Sequence, residues 1–334
     1  MNLQERIEAF IQLGTYLNKE FVIEQEEKMI AAKVNNPWFT IDNTKKAIAA
    51  WSEQLSDDML NAWIGPYNLK EVTTPKRVLI IMAGNIPMVG FHDLLSTLIV
   101  GHKVVIKLSS NDKVLIPVLI EKLIEIAPAF KDNIEFIDDI KDKKFDAVIA
   151  TGSDNSAKYF EYYFKDAAKI IRKNRRSIAV LDGAENKREL EGLAEDVFAY
   201  FGLGCRNVSK VFLPKGYNLD KLFEAFYPYS DIVSHKKYGN NYDYNKAIFL
   251  MGNNDLVENG FLLMKEDKSH LSPVAMLYYE YYSNIDLVDE FVAENADSLQ
   301  CIVKKDGIPF GHTQKPNLWD YADGVDTIAF LRDI

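Results

Sequence analysis

Cysteine is scarce in this chain of 334 residues: Cys205 and Cys301 are the only two, too few for a disulfide framework. Histidine is nearly as rare. His92, His102, His235, His270 and His312 show no i, i+4 or cysteine-paired spacing, so no metal is expected. Basic residues are outnumbered, 39 against 49 acidic, and the net charge of −10 argues against nucleic acid as a partner, because phosphate binding needs a basic surface. No apolar run approaches the length of about 18 residues that a membrane span needs. The longest, Leu94 to Ile106, is broken by Gly101, His102 and Lys103, so no span is expected. No charged-then-apolar leader precedes the first helical pattern, and a reducing, cytoplasmic setting is expected. A Gly-x-x-x-x-Gly-Lys-Ser/Thr phosphate loop is missing as well.

What is present is ordinary for a folded protein, with 48% hydrophobic and 26% charged residues. The length predicts two domains or one with a large insertion. From Met1 to about Pro66 the pattern is helical, with Ile7, Phe10, Ile11 and Leu13 to Leu17 at i, i+3, i+4 spacing and a repeat over Lys45 to Trp63. After Thr73-Thr-Pro-Lys76 the character changes. Short apolar runs at Arg77 to Ala83, Lys103 to Lys107, Ile134 to Phe136, Ala147 to Ala150 and Ser177 to Leu181 enclose helical patterns at Val114 to Ile126 and Ser153 to Phe164. Strands alternating with helices imply βαβ units, hence a doubly wound parallel sheet with a second α/β domain behind it. The division expected is a helical cap over 1–70, a dinucleotide-binding domain over 71–195, a catalytic domain over 196–315 and a tail over 316–334.

In such sheets ligands sit beyond the carboxyl ends of the strands. Three loops qualify: Gly84-Asn-Ile-Pro87, Leu108-Ser-Ser-Asn-Asp112 and Thr151-Gly-Ser-Asp154. Farther on, the helical segment Glu189 to Tyr200 leads into Gly202-Leu-Gly-Cys-Arg-Asn207 and then the strand-like Val208 to Leu213. This is one residue short of a dinucleotide fingerprint, but it has a helix before it and a strand after it, the reverse of what that fingerprint needs. A thiol flanked by glycines in that setting suits a nucleophile, since the thiolate is reactive near neutral pH and glycines let backbone N–H groups approach a substrate oxygen. The cationic stretch Ile171-Arg-Lys-Asn-Arg-Arg-Ser177 reads equally as a solvated loop or a phosphate contact. Phe223, Phe226, Tyr227, Tyr229, Leu277, Tyr278, Tyr279, Tyr281 and Tyr282 read either as an acyl tunnel or as core.

Taken in order, these segments resemble the aldehyde dehydrogenase superfamily, and within it the LuxC-type acyl-CoA reductases. Gly84-Asn-Ile-Pro87 is similar to the Asn-x-Pro turn, which assigns Asn85 to the oxyanion of the thiohemiacetal. Val105-Ile-Lys-Leu-Ser-Ser110 is similar to the Lys-Pro-Ser loop, which assigns Lys107, Ser109 and Ser110 to the cofactor's adenosine side. Thr151, Gly152 and Ser153 match the Thr-Gly-Ser turn at the pyrophosphate. Gly202-Leu-Gly-Cys205 matches the nucleophile loop, and Ile308-Pro-Phe-Gly-His312 the Pro-Phe-Gly-Gly segment, which makes Phe310 a cofactor contact. Trp319 to Asp326 is similar to the tail of the LuxC branch. The resemblance spans about residues 70 to 334, and the first 70 residues carry no motif of their own.

Two departures bear on the reaction. Where hydrolysing members carry a glutamate that activates water, the chain has the stretch beginning at Arg172, so a Cys205 thioester is expected to persist for reduction or exchange with coenzyme A. Ser269 stands where the family's nicotinamide-ribose glutamate would be. No acidic residue follows Lys107 directly, which favours NADPH over NADH. The resemblance therefore implies NADPH-dependent reduction of an acyl-CoA, of the fatty acyl class, to the aldehyde. Aldehyde or acyl-phosphate chemistry, or a non-catalytic nucleotide-binding protein, stand as alternatives, and homo-oligomerisation is left open.

Overall fold

The apolar run that opens after Lys76 forms strand β1 (Arg77–Ile81), four of whose five residues are buried. Burial on both faces is what a central strand of a parallel sheet requires. The fold is taken from a computed structural model that describes residues 1–141 and 143–334. Among these residues β1 pairs in parallel with β2 (Lys103–Lys107) on one side and β4 (Ala147–Thr151) on the other. Strands β3 (Ile134–Phe136) and β5 (Ala168–Arg172) complete the order β3-β2-β1-β4-β5. The chain reverses its direction of travel across the sheet between β1 and β4. The loops that follow these strands therefore flank the crevice where such sheets hold ligands.

The chain divides into two compact units, residues 1–174 with 317–334, and residues 175–316. In the first, the helix Leu3–Lys19 starts with a capping box, Asn2 Oδ1 accepting from Glu5 N and Glu5 Oε2 from Asn2 N. Gly14 of this helix meets Leu55, and a Cβ there would come within 2.7 Å of the leucine Cβ. Arg6 is 5% exposed, and its guanidinium donates to the carbonyls of Ile99 and Val100 at the end of the helix Phe91–Val100. Those are the carbonyls a helix C-terminus leaves without partners.

The C-terminal segment belongs to this unit and is held by polar side chains. Tyr321 accepts from Trp63 Nε1 at 2.7 Å, Tyr67 donates to Asp326 Oδ2 at 2.7 Å, and His92 Nε2 bonds Leu318 O at 2.8 Å. His102 Nδ1 accepts from Lys76 N and its Nε2 bonds Leu331 O, a tautomer fixed by backbone on both sides. Burial lowers its pKa, so it is a neutral structural ring.

In the second unit the strands are β6 (Arg176–Val180), β7 (Val208–Pro214), β8 (Val257–Glu258), β9 (Leu263–Glu266), β10 (Met276–Tyr282) and β11 (Leu299–Val303), in the order β11-β6-β7-β10-β9-β8. All neighbours are parallel except β8 and β9. Two sequence expectations are corrected. The strand predicted over Ser177 to Leu181 pairs with β7 and β11, not with the first sheet, and the division falls at 174/175 instead of 195/196. The last two residues of β5, Ile171 and Arg172, belong to the stretch that reads from sequence as a solvated loop or a phosphate contact. The strand's inner residues Ile170 and Arg172 are buried, and the arginine disguised the apolar alternation.

Candidate active site

Three loops at the carboxyl ends of β1, β2 and β4 carry the residues singled out in the first unit. Gly84 lies against the loop after β2 so closely that a Cβ would come within 2.5 Å of Ser109 Oγ, which explains the glycine. The next residue, Asn85, is exposed. Met88 adopts φ 57, in the left-handed region, and its N–H donates to Asp112 Oδ2 at 3.0 Å. Asp112 Oδ1 accepts from Leu115 N at 3.3 Å, at the start of the helix Leu115–Ile126. One carboxylate thus ties the Asn85 turn to the next loop. Burial pushes its pKa up to about 6, with the two backbone hydrogen bonds acting in the opposite direction.

In the loop after β2, Lys107 donates to Asp138 O at 2.7 Å, Ser109 Oγ accepts from Asn111 N at 3.2 Å, and Ser110 is exposed. After β4, Thr151 pairs with Arg172, and a Cβ on Gly152 would meet Ser156 Cβ at 2.8 Å. Ser153 is the N-cap of the helix Asp154–Tyr163, its Oγ accepting from Ser156 N at 3.3 Å. The first turn of this helix offers the backbone N–H groups that favour an anion.

The four cations beginning at Arg172 form neither a solvated loop nor one phosphate cluster. Arg172 is buried and its Nη1 lies 2.5 Å from Asp93 Oδ2, with Nη2 donating to Thr327 Oγ1 at 3.2 Å. Lys173 pairs with Glu161 at 3.3 Å on the surface. Arg175 donates to the carbonyls of Ala296 and Leu299, and Arg176 to Gly202 O at 3.3 Å. The run spans the division at 174/175, which separates its members into different surroundings.

In the second unit the helix Lys187–Phe198 ends before the predicted Tyr200, because Tyr200 (φ 50), Phe201 (φ 61) and Gly202 (φ 73) turn left-handed in succession. A left-handed residue with a side chain costs about 1–2 kcal/mol, so the surroundings must hold Tyr200 and Phe201 in place. Asn207, 1% exposed, does much of this: Nδ2 donates to Asp196 O at 3.0 Å and Ala199 O at 2.9 Å, and Oδ1 accepts from Gly204 N at 2.8 Å. The Gly204 amide is therefore engaged within the turn. Ser177 Oγ donates to Cys205 O at 3.0 Å, and Cys205 is half-buried.

Asp196 also gathers the segment that holds Phe310. Its carboxylate accepts from Gly311 N at 2.7 Å, and from Thr313 N at 3.0 Å and Oγ1 at 2.8 Å. Phe310 itself is half-buried, and its backbone lies against Gly192, where a Cβ would come within 2.8 Å. Cys301 differs from Cys205: it is 2% exposed in β11, Arg206 Nη1 donates to its Sγ at 3.4 Å, and burial raises its pKa against the Arg206 charge.

Ser269 sits in a loop organised by Lys210, a residue that sequence reading passed over. This lysine, with its side chain fully buried, donates to Asp267 O at 2.9 Å, Lys268 O at 2.8 Å and Glu280 Oε2 at 2.6 Å. A lysine in the middle of the apolar run Val208 to Leu213 was the available signal. The aromatics weighed as a tunnel are mostly core, with Phe226, Leu277 and Tyr279 in one buried cluster and Tyr227 71% exposed. A separate cavity of about 20 Å³, room for about one water-sized group, lies beside the cysteine turn among Phe201, Gly202, Tyr238, Leu262, Val274 and Met276.

Comparison with known proteins gives the family and the fold. A sequence model of the LuxC acyl-CoA reductases matches residues 23–222, more than half of the chain. No curated protein matches by sequence. Among solved structures, aldehyde dehydrogenase 21 of Physcomitrella patens, in complex with the reaction product succinate, superposes with a TM-score of 0.69 at 14% identity, over 92% of this chain and 74% of that one. The indole-3-acetaldehyde dehydrogenase of P. syringae, in complex with NAD+, gives 0.68 at 12% identity, over 92% and 73%. The NADP-dependent glyceraldehyde-3-phosphate dehydrogenase of Bacillus halodurans, complexed with NADP, gives 0.65 at 14%, over 92% and 75%. At these identities the likeness is one of fold. Among the described residues no helix is long and apolar enough to cross a membrane.

Proposed function

The chain belongs to the LuxC acyl-CoA reductase family, oxidoreductases on the aldehyde dehydrogenase fold, and from that premise we propose that it reduces a fatty acyl-CoA to the aldehyde through a thioester on Cys205, with NADPH as reductant. The observation that carries this reading is the presentation of Cys205: a half-buried thiol on a turn pinned by Asn207 and Ser177, immediately before β7. A nucleophile on so fixed a backbone meets the carbonyl without reorganisation.

In this reading the Cys205 thiolate attacks the thioester carbonyl, the new C–S bond forms, and the coenzyme A thiolate leaves. The Asn85 amide and the Cys205 backbone N–H stabilise the oxyanion that develops. Arg172, at the position aligned with the water-activating glutamate, is a cation engaged by Asp93 and cannot act as a base toward water, so the thioester is left for reduction.

The residues of the first unit fit a nicotinamide dinucleotide. Gly152 and Ser153 bring backbone to the N-terminus of the helix Asp154–Tyr163, suited to a pyrophosphate, with Thr151 ending the strand before them. Lys107, Ser109 and Ser110 would hold the adenosine end, and Phe310 is assigned as a further cofactor contact. Asp112, the carboxylate of the loop after β2, is turned inward onto the Met88 and Leu115 amides. It therefore does not oppose a 2′-phosphate, which supports NADPH. When bound, the reduced cofactor supplies the hydride that takes the acyl group to the aldehyde.

The protein incubated with a fatty acyl-CoA and NADPH should consume reduced-nicotinamide absorbance and carry an acyl adduct on Cys205 by mass spectrometry. Cys205→Ser should lower turnover by at least about 10³-fold. NADH in place of NADPH should give the lower kcat/KM. Absence of an adduct with every acyl-CoA tried would overturn the reading.

A further inference from the structure

Of the four cations between Arg172 and Arg176, three are accounted for by partners away from the cysteine turn: Arg172 by Asp93, Lys173 by Glu161, and Arg175 by the carbonyls of Ala296 and Leu299. Arg176 is different. It opens β6, and its Nη1 donates to Gly202 O at 3.3 Å, while the next residue, Ser177, donates its hydroxyl to Cys205 O at 3.0 Å. The first two residues of β6 thus grip both ends of the four-residue turn that presents the thiol. Among the described residues Arg176 makes no ion pair with a carboxylate; burial lowers its pKa, and the one charge acting to raise it is that of Cys205. A partly desolvated guanidinium without a carboxylate is costly unless an anion faces it.

The other ionisable groups around this turn do not supply that anion. Arg206, on the turn itself, directs its guanidinium to Cys301 Sγ. Cys301, from β11, is held protonated by burial. Asp196, from the helix Lys187–Phe198, has its carboxylate on Gly311 and Thr313. Tyr200 is pushed up to about 12 by burial and is neutral. His235 packs its ring on Phe201 at 4.3 Å and accepts from Tyr238 N.

We propose that Arg176 is the counter-ion of the Cys205 thiolate, a positioning residue that fixes the turn through Gly202 O and keeps the nucleophile ionised before substrate arrives. This rests on Cys205 being the nucleophile. The free enzyme then carries a thiolate–guanidinium pair. When the thiolate becomes a neutral thioester the arginine loses its anion, so the charge is available at the step where coenzyme A departs as a thiolate.

The test is the pH dependence of Cys205 alkylation by iodoacetamide, followed peptide by peptide so that Cys301 is read separately. Arg176→Gln keeps an N–H donor for Gly202 O and removes the charge; Arg176→Lys keeps the charge. In Arg176→Gln the Cys205 profile should move up by about one pH unit and the rate at neutral pH fall about 10-fold, with the alkaline limiting rate unchanged. Arg176→Lys should stay near the parent profile. Circular dichroism on both variants separates this from misfolding. If both variants behave alike, or if the folded Arg176→Gln protein titrates as the parent does, the proposal is overturned. An acyl-enzyme that forms with an unmoved profile overturns this proposal alone. A moved profile without any acyl-enzyme leaves the thiolate pair in place and overturns the reaction assigned above.

Discussion

The turn after β1, which carries Asn85, and the turn before β7, which carries Cys205, meet the same problem with different clamps. Each contains side-chain-bearing residues in the left-handed region, Met88 at φ 57 in one and Tyr200 and Phe201 at φ 50 and 61 in the other. Each has, among its clamps, one buried polar side chain reaching back from farther along the chain to two or more backbone groups. In the first the clamp is Asp112, 4% exposed, which accepts from two backbone amides; in the second it is Asn207, 1% exposed, which donates twice and accepts once. An amide satisfies donors and acceptors at every pH. A carboxylate satisfies only donors, and its ionisation opposes its own burial. The Asn207 clamp is therefore indifferent to pH, whereas the Asp112 clamp carries a proton equilibrium of its own.

The largest expected effect is that of Asn207→Ala. Three backbone groups, the Gly204 N–H and the carbonyls of Asp196 and Ala199, lose their partner inside the second unit. At about 1–3 kcal/mol for a buried unsatisfied group, partly relieved by relaxation, the loss should total about 3–5 kcal/mol in urea unfolding. A loss below about 1 kcal/mol would mean that the turn holds itself and that the contrast with Asp112 is empty.

Next is Asp112, whose effect has a sign. Its pKa in the folded protein, about 6, lies above the ordinary aspartate value of about 4, so between those pH values the native state binds more protons than the unfolded chain. Stability from this group is fully present below about pH 4 and is lost as pH rises through about 6, a fall of about 2–3 kcal/mol. Thermal unfolding of the parent protein and of Asp112→Asn across that range should show the fall in the parent and its absence in the variant. The same fall in both would assign it to other groups and remove the distinction between the clamps.

The two turns also differ in how much of them the sequence disclosed. The glycines, the cysteine and the capping serine at 153 were visible because each residue type has a local use: close approach, reactivity, helix start. The parallel sheet was visible because buried strands read as apolar runs. What stayed hidden depends on partners distant in sequence. Arg172 looks like one of four surface cations until β5 places it against Asp93, 79 positions earlier. Strand β6 reads as the next strand of the first sheet, since only pairing with β7 and β11 assigns it elsewhere. Lys210 interrupts an apolar pattern, and its use on the Asp267 and Lys268 carbonyls is visible only once β7 and that loop are adjacent. The break at Tyr200 and Phe201 carries no local signal, because neither residue favours the left-handed region by itself.

The smallest effect separates backbone conformation from the clamp. Gly84 has no left-handed requirement but has no room, since a Cβ would come within 2.5 Å of Ser109 Oγ; Gly84→Ala should cost about 1–3 kcal/mol through overpacking. Gly202 is less crowded, a Cβ there meeting Val197 O at 3.3 Å, which is closer than ordinary contact, and it sits at φ 73; Gly202→Ala should cost about 1–2 kcal/mol. If Asn207 sets the cysteine turn, that small loss should appear in unfolding alone, and iodoacetamide should reach Cys205 at the parent rate. If Gly202→Ala instead slows alkylation more than Asn207→Ala does, the left-handed run from Tyr200 to Gly202 aims the thiol, and the amide merely follows it.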